Sequence, residues 1–124
     1  LFTVLHLWAA GWFTYLLLRR LGTRWLSAVA AGLAWMLGGW TLAWMQLAPV
    51  VVQSAAIPAC LWVVHRAEQR RSWGAVSLAG VVLGASVVAG HALMGAVTAA
   101  IAGVYLATLV ARRAQQQRES GVGG

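Results

Sequence analysis

The sequence predicts an all-α, polytopic membrane helical bundle of about five transmembrane helices, with the N-terminus outside and the C-terminus cytoplasmic. Three observations lead there. Hydrophobic residues make up 61% of the 124 positions and charged residues only 9%, where a soluble domain carries roughly 25% charged residues. Mean hydropathy is +0.77. The few charges are also gathered: Arg24 and Arg66 bracket one uncharged block, and Arg71 and Arg112 bracket another. Each block is about 40 residues, and one helix of that length would run about 60 Å, roughly twice the hydrocarbon thickness of a bilayer. Each block must therefore fold back once.

The first span, 1–18, ends at Arg19-Arg20. The second, 25–46, opens with Trp25 and runs to Gln46-Leu47-Ala48-Pro49, where the apolar pattern breaks. Proline suits the first position of a new helix, whose amide has no intrahelical partner. The third span, 49–65, contains Pro58, which predicts a kink that neighbouring helices can absorb. The fourth, 73–89, opens with Trp73 and stops at Ala89-Gly90-His91. Glycine favours a helix C-terminus there. The fifth is 92–111. The polar, Gly-rich remainder, 112–124, reads as a disordered cytoplasmic tail.

Arginine sets the orientation. All nine basic residues are Arg: Arg19, Arg20, Arg24, Arg66, Arg70, Arg71, Arg112, Arg113 and Arg118. Five spans put every one on the same side, which the positive-inside rule makes the cytoplasm. The net charge of +7 is thereby an orientation device that contacts the lipid bilayer and its anionic headgroups. It does not form the Lys/Arg stripe of a nucleic-acid-binding surface. In the fourth span Ser77, Gly80 and Gly84 share a face, and the GxxxG they contain is expected to pack against another helix of this chain.

Chemistry in such a chain resides in its polar groups within the spans. There is no Asp. Glu68 and Glu119 sit among the inner arginines as ion-pair partners. Cys60 stands alone, so it has neither a disulfide partner nor a metal-ligand pattern, and it reads as a packing residue. No metal or cofactor motif is present. His65 joins the inner arginine loop. His6, Gln46, Gln53 and His91 remain. His6 precedes Leu18 by about 18 Å of helix, inside the outer leaflet, where a polar side chain is costly unless it faces the bundle or a wet cavity. Gln46 and His91 fall at the outward turns. All three border one outward-facing region, and His6, His91 and Gln46 are the candidate substrate-binding residues. The competing reading has His6 bonded to a helix and His91 simply exposed.

The run Leu5-His6-Leu7-Trp8-Ala9-Ala10-Gly11, followed by Tyr15-Leu16-Leu17-Leu18-Arg19-Arg20-Leu21-Gly22, resembles a stretch of the YfhO-like family of bacterial membrane proteins. The likeness continues in order through Ala28–Ala34, Gly38-Gly39-Trp40, Ile57-Pro58-Ala59, Leu61–Glu68 and Ala89-Gly90-His91. His91 is followed by Ala92-Leu93 where the family has Pro-Gln. The family is similar to multi-span glycosyltransferases that transfer a sugar from a polyprenyl-phosphate donor on the outer face of the membrane. The resemblance implies that His6 and His91 would donate hydrogen bonds to a lipid-phosphate headgroup. It also implies a catalytic carboxylate on an outward loop near the start of the protein. No outward acid occurs here, so no catalytic residue is assigned, and the chain is expected to be an interior piece of a longer polypeptide. A transporter or permease fragment and a non-enzymatic membrane scaffold stay open beside it.

Overall fold

A computed structural model describes residues 1–44, 46–70, 73–89 and 92–122. Among them the chain is all-helical: α1 (Phe2–Arg20), α2 (Trp25–Met36), α3 (Gly39–Ala43), α4 (Ala48–Arg70), α5 (Trp73–Ala89) and α6 (Ala92–Val122). Three segments are long and apolar enough to cross a membrane: Trp25–Ala43, Ala48–Arg70 and Ala92–Arg118. Trp73–Val88 is apolar but shorter. α1 is 19 residues long, but its Trp, Tyr, Thr, His and Arg side chains hold down its hydropathy.

α4 is the centre of the bundle. It packs against α1, α5, α6 and the short α3, and more than half of its most apolar stretch is buried (56%). The corresponding stretches of Trp25–Ala43 and Ala92–Arg118 are only 18% and 17% buried. The core proper, Val63, Val64, Ala79 and Ala102, lies where α4, α5 and α6 meet, with Trp62, Leu83 and Tyr105 against it.

Pairwise contacts give the helix directions. Phe13 meets Trp62 and Arg20 meets Gln69, so α1 and α4 run parallel. Gln53 meets Thr98 and Glu68 meets Arg113, so α4 and α6 run parallel as well. A Cβ on Gly11 would touch Met36 and one on Gly32 would touch Tyr15, which makes α2 antiparallel to α1. This alternation brings Arg20, Arg66, Arg70 and Arg113 to one end of the bundle.

The α1–α2 turn shows why Gly22 stands where it does. The Gly22 N–H donates to the Arg19 carbonyl and the Thr23 N–H to the Leu18 carbonyl, the paired closure of a Schellman motif. That motif needs a left-handed residue after the helix, and Gly22 has φ 83°.

Three boundaries differ from the sequence expectation. The second segment is not one helix over 25–46: it breaks at Leu37-Gly38 into α2 and α3. α4 continues to Arg70, five residues past the expected end. α6 remains helical through Val122, so the polar tail extends the last helix. Gln115, Gln116, Gln117 and Arg118 are good helix formers, and the helix already running through Leu109 removes their nucleation cost.

The expected packing face on α5 is also corrected. Ser77, Gly80 and Gly84 are exposed, and a Cβ at either glycine would meet nothing within 4 Å. Close approaches lie instead between α1 and α2, where a Cβ on Gly32 would sit 2.8 Å from the Gly11 carbonyl oxygen, and between α5 and α6, where a Cβ on Gly95 would sit 2.8 Å from the Val87 Cα.

Candidate functional site

Two irregularities in the helices face each other and build a polar site within the bundle. The first is the break after α2. Leu37 N–H donates to the Leu33 carbonyl, closing the helix, and Leu42 N–H donates to Gly38 to start the next. At Gly38 a Cβ would lie 2.8 Å from the Ala34 carbonyl oxygen, so a larger residue would force the two helices apart. Across the break the Thr41 hydroxyl donates to the Trp35 carbonyl at 3.2 Å.

The second irregularity is Pro58, buried inside α4. Proline has no N–H, so the carbonyl four residues earlier loses its intrahelical donor. That carbonyl belongs to Ser54, and the Trp35 indole N–H on α2 donates to it at 2.9 Å. Trp35 is thus more than a packing residue. Its indole satisfies the defect that Pro58 creates.

Beside this bond lies Gln53, 3% exposed. Its amino group donates to the Met94 carbonyl at 3.1 Å and to the Thr98 hydroxyl. The Thr98 hydroxyl in turn donates to the Met94 carbonyl at 3.0 Å. A carbonyl only accepts, which fixes the orientation of the Gln53 carboxamide. Its oxygen, Oε1, is buried with no hydrogen-bond partner. Gln53 also lines a cavity of about 180 Å³ with Ala34, Trp35, Gly38, Thr41 and Ile57. Gln53 sits near the start of α4, so this cavity lies toward the end of the bundle away from the arginines.

A second polar assembly lies at the arginine end. Arg20 donates to Gln69 Oε1 at 3.1 Å, which turns the Gln69 amino group to His65 Nε2 at 2.9 Å. An amide nitrogen only donates, so Nε2 accepts, and in the neutral ring Nδ1–H donates to the Tyr105 hydroxyl at 2.9 Å. Glu68 pairs with Arg113 at 2.7 Å. The Arg20 and Arg66 guanidiniums lie 5.7 and 5.3 Å from the Trp62 ring centroid, within cation–π range. These contacts tie α1, α4 and α6 together.

The three residues expected to bind substrate are placed differently from this site. His6 lies in the first turns of α1, where Nδ1–H donates to its own helix at Phe2 O (2.9 Å) and the ring packs on Phe2 at 4.2 Å. Gln46 is exposed in the connection between α3 and α4. His91 lies outside the described residues. Cys60 is buried beside Ser86. Sequence reasoning counted Gln53 among the polar residues of the spans but gave it no role. Its signal was present: a glutamine deep in an uncharged block, five residues ahead of an internal proline.

Among the described residues no group of His, Cys, Asp or Glu is arranged to hold a metal ion. The cavity wall combines the hydrogen-bonding groups of Trp35, Thr41, Gln53 and Ser54 with the apolar side chains of Val50, Ile57 and Met94. In comparisons with known protein families, curated proteins and solved structures, no match to this chain is found.

Proposed function

We propose that this chain is the multi-span membrane part of a protein resembling lipid-phosphate-sugar-dependent glycosyltransferases, with five spans, the N-terminus outside and the arginines cytoplasmic. The observation that carries the membrane reading is the outer surface of the bundle. Trp8, Trp25, Val81, Val88, Leu93 and Val104 are each more than half exposed, and the apolar stretches of Trp25–Ala43 and Ala92–Arg118 are mostly unburied. Apolar surface this extensive is stable only against lipid or protein. Packing that brings Arg20, Arg66, Arg70 and Arg113 to one end supports a single cytoplasmic side.

The sugar-transfer reading rests on the ordered resemblance from Leu5 to His91. In it His6, Gln46 and His91 border the outward face as groups for a lipid-phosphate headgroup, and the catalytic carboxylate comes from outside residues 1–124. A second reading, a transporter or permease segment, has one observation in its favour: a broken helix beside a buried polar pair, an arrangement common at transporter binding sites.

Two experiments test these readings. In a Cys60→Ala background, single cysteines at Leu47 and at Gln69 should label from opposite sides of the membrane; labelling from the same side sinks the five-span arrangement. Membranes carrying the full-length gene product and given a radiolabelled polyprenyl-phosphate sugar should show transfer that falls in His6→Ala. No transfer from any donor, together with saturable solute uptake into vesicles, would establish the transporter instead.

A further inference from the structure

We propose that the groove between α4, α5 and α6 at the arginine end of the bundle is a binding site for one anionic phospholipid, with an acyl chain along the groove and the phosphate on Arg113. The inference rests on the membrane reading above and is independent of sugar transfer.

Two adjoining features give the site its amphipathic form. The first is a groove of about 560 Å³, walled by Val76, Gly80 and Leu83 on α5 and by Leu106 and Val110 on α6, and closed at one end by Glu68 on α4. The second is a polar cleft of about 440 Å³ lined by Gln69, Arg113, Gln116 and Gln117. The Glu68–Arg113 ion pair joins them. Glu68 ends the groove, and Arg113, one turn beyond Val110 on α6, begins the cleft. An occupant that follows this path is apolar along its length and polar at one end.

Position identifies that occupant as lipid. Trp73, which lines the groove beside Glu68, and Val76, Leu106 and Val110 are each more than 40% exposed. The groove is therefore open on its outer side, to whatever surrounds the bundle. Along α5 it runs from Trp73 to Leu83, about 15 Å of helix, half of the roughly 30 Å hydrocarbon core. An acyl chain of one leaflet has that reach, whereas a second spanning helix would need twice it. Trp73 stands at the polar end, where an indole suits the headgroup level. The groove is wide because a Cβ at Gly80 would meet nothing within 4 Å.

An acyl chain gains little by leaving the bilayer for such a groove, since lipid is as apolar as the walls. The headgroup must supply the preference, and Arg113 is placed to do so. Its Nε lies 2.7 Å from Glu68 Oε1, which fixes the guanidinium, and its side chain is still 36% exposed where it lines the cleft. A guanidinium has five N–H donors, so donors remain for a phosphate in charge-assisted bonds. Gln116, exposed on the next turn, adds an amide donor. Arg66 and Arg70 on α4 and Arg112 on α6 stand at the same end, and each such charge adds attraction for an anionic headgroup over a zwitterionic one.

The test is native mass spectrometry of the purified full chain in a non-ionic detergent, titrated with phosphatidylglycerol and with phosphatidylcholine of the same acyl chains. One phosphatidylglycerol should bind saturably, at least fivefold more tightly than phosphatidylcholine. Gly80→Leu, which fills the groove and leaves the ion pair, should weaken it at least tenfold. Arg113→Gln should bring phosphatidylglycerol to the affinity of phosphatidylcholine. Arg19→Gln removes the same charge from the same end and should stay within about twofold of the unaltered chain. If Arg113→Gln fails to fold, the comparison of the two lipids and Gly80→Leu still decide. Binding without a saturable first lipid, or equal affinity for the two lipids, would overturn the proposal. So would equal losses in Arg19→Gln and Arg113→Gln, or unchanged binding in Gly80→Leu. A dimer that Gly80→Leu dissociates would make the groove an interface between copies of the chain and overturn it too. Any of these, with cysteines at Leu47 and Gln69 still labelled from opposite sides, would remove the lipid site and leave the membrane reading standing.

Discussion

The Trp35 indole on α2 donates to the Ser54 carbonyl on α4 at 2.9 Å, replacing the N–H that Pro58 lacks. One side chain therefore both fastens two helices and repairs a backbone defect in one of them. Trp35→Phe keeps most of the ring and removes the donor. It should lower stability in detergent by about 1–3 kcal/mol, the cost of an orphaned buried acceptor. Pro58→Ala restores an amide at position 58, so in that background Trp35→Phe should cost at most about half as much. A double-mutant cycle on unfolding free energies checks this. Equal costs in the two backgrounds would show that the indole is not substituting for the missing amide.

Thr98→Val should cost little. The substitution is close to isosteric at a position 1% exposed, and Gln53 keeps its bond to the Met94 carbonyl. Interhelical side-chain bonds in membrane bundles average about 0.6 kcal/mol, with a maximum near 1.7. Gln53→Leu should cost no more than Thr98→Val, because it removes an unsatisfied acceptor along with the bond. Unfolding in a denaturing detergent provides the comparison. A much larger loss for Gln53→Leu would mean that Oε1 already has a partner in solution.

Much of this arrangement was legible in the sequence. Charge blocks marked by Arg24, Arg66 and Arg112 announced an all-helical chain with apolar helices long enough to cross a membrane, because arginine is costly anywhere but a span end. The turn at Pro49 and the Trp25 and Trp73 starts follow from local chemistry. The break at Leu37-Gly38 was missed. Periodicity stays apolar across it, and Gly38-Gly39 is as compatible with a continuous span as with a gap. The site was missed for a related reason. Pro58 announced a free Ser54 carbonyl, yet which donor would reach it depends on the register of α2 against α4, a long-range property that neither helix encodes alone. The same limit explains the α5 stripe. GxxxG shows that a backbone can be approached, and Gly80 and Gly84 are not approached within this chain.

That contrast between glycines is measurable. Gly32→Ala places a Cβ 2.8 Å from the Gly11 carbonyl oxygen, a backbone atom that cannot swing away. α1 and α2 must separate, at a cost of about 1–3 kcal/mol typical of overpacking. Gly80→Ala meets open space and replaces glycine with the best helix former, so it should be neutral or stabilising by up to about 1 kcal/mol. Melting of the two variants in the same detergent compares them. A loss at Gly80 equal to that at Gly32 would mean that another protein helix packs closely on this face of α5.

The chain of hydrogen bonds from Arg20 through Gln69 and His65 to Tyr105 has a direction, and the direction makes a prediction about a proton. Arg20 has only donors, so Gln69 must present its oxygen to Arg20 and its amino group to His65. His65 Nε2 is then the acceptor, and the neutral ring carries its proton on Nδ1, donating to the Tyr105 hydroxyl. ¹⁵N NMR of the histidine ring should accordingly find the Nδ1–H tautomer at His65 in the unaltered chain. The energetics should follow burial along the same chain. Tyr105→Phe leaves the buried His65 Nδ1–H without an acceptor and should cost about 1–3 kcal/mol. Gln69 and Arg20 are exposed, where water can replace a lost partner, so Gln69→Ala and Arg20→Ala should each cost less than Tyr105→Phe. Gln69→Ala also removes the group that, among the described residues, fixes which ring nitrogen accepts. The variant should therefore show a mixture of tautomers at His65 where the unaltered chain shows one. A mixture already present in the unaltered chain, or a loss in Arg20→Ala as large as in Tyr105→Phe, would mean that the bonds do not act as an ordered chain.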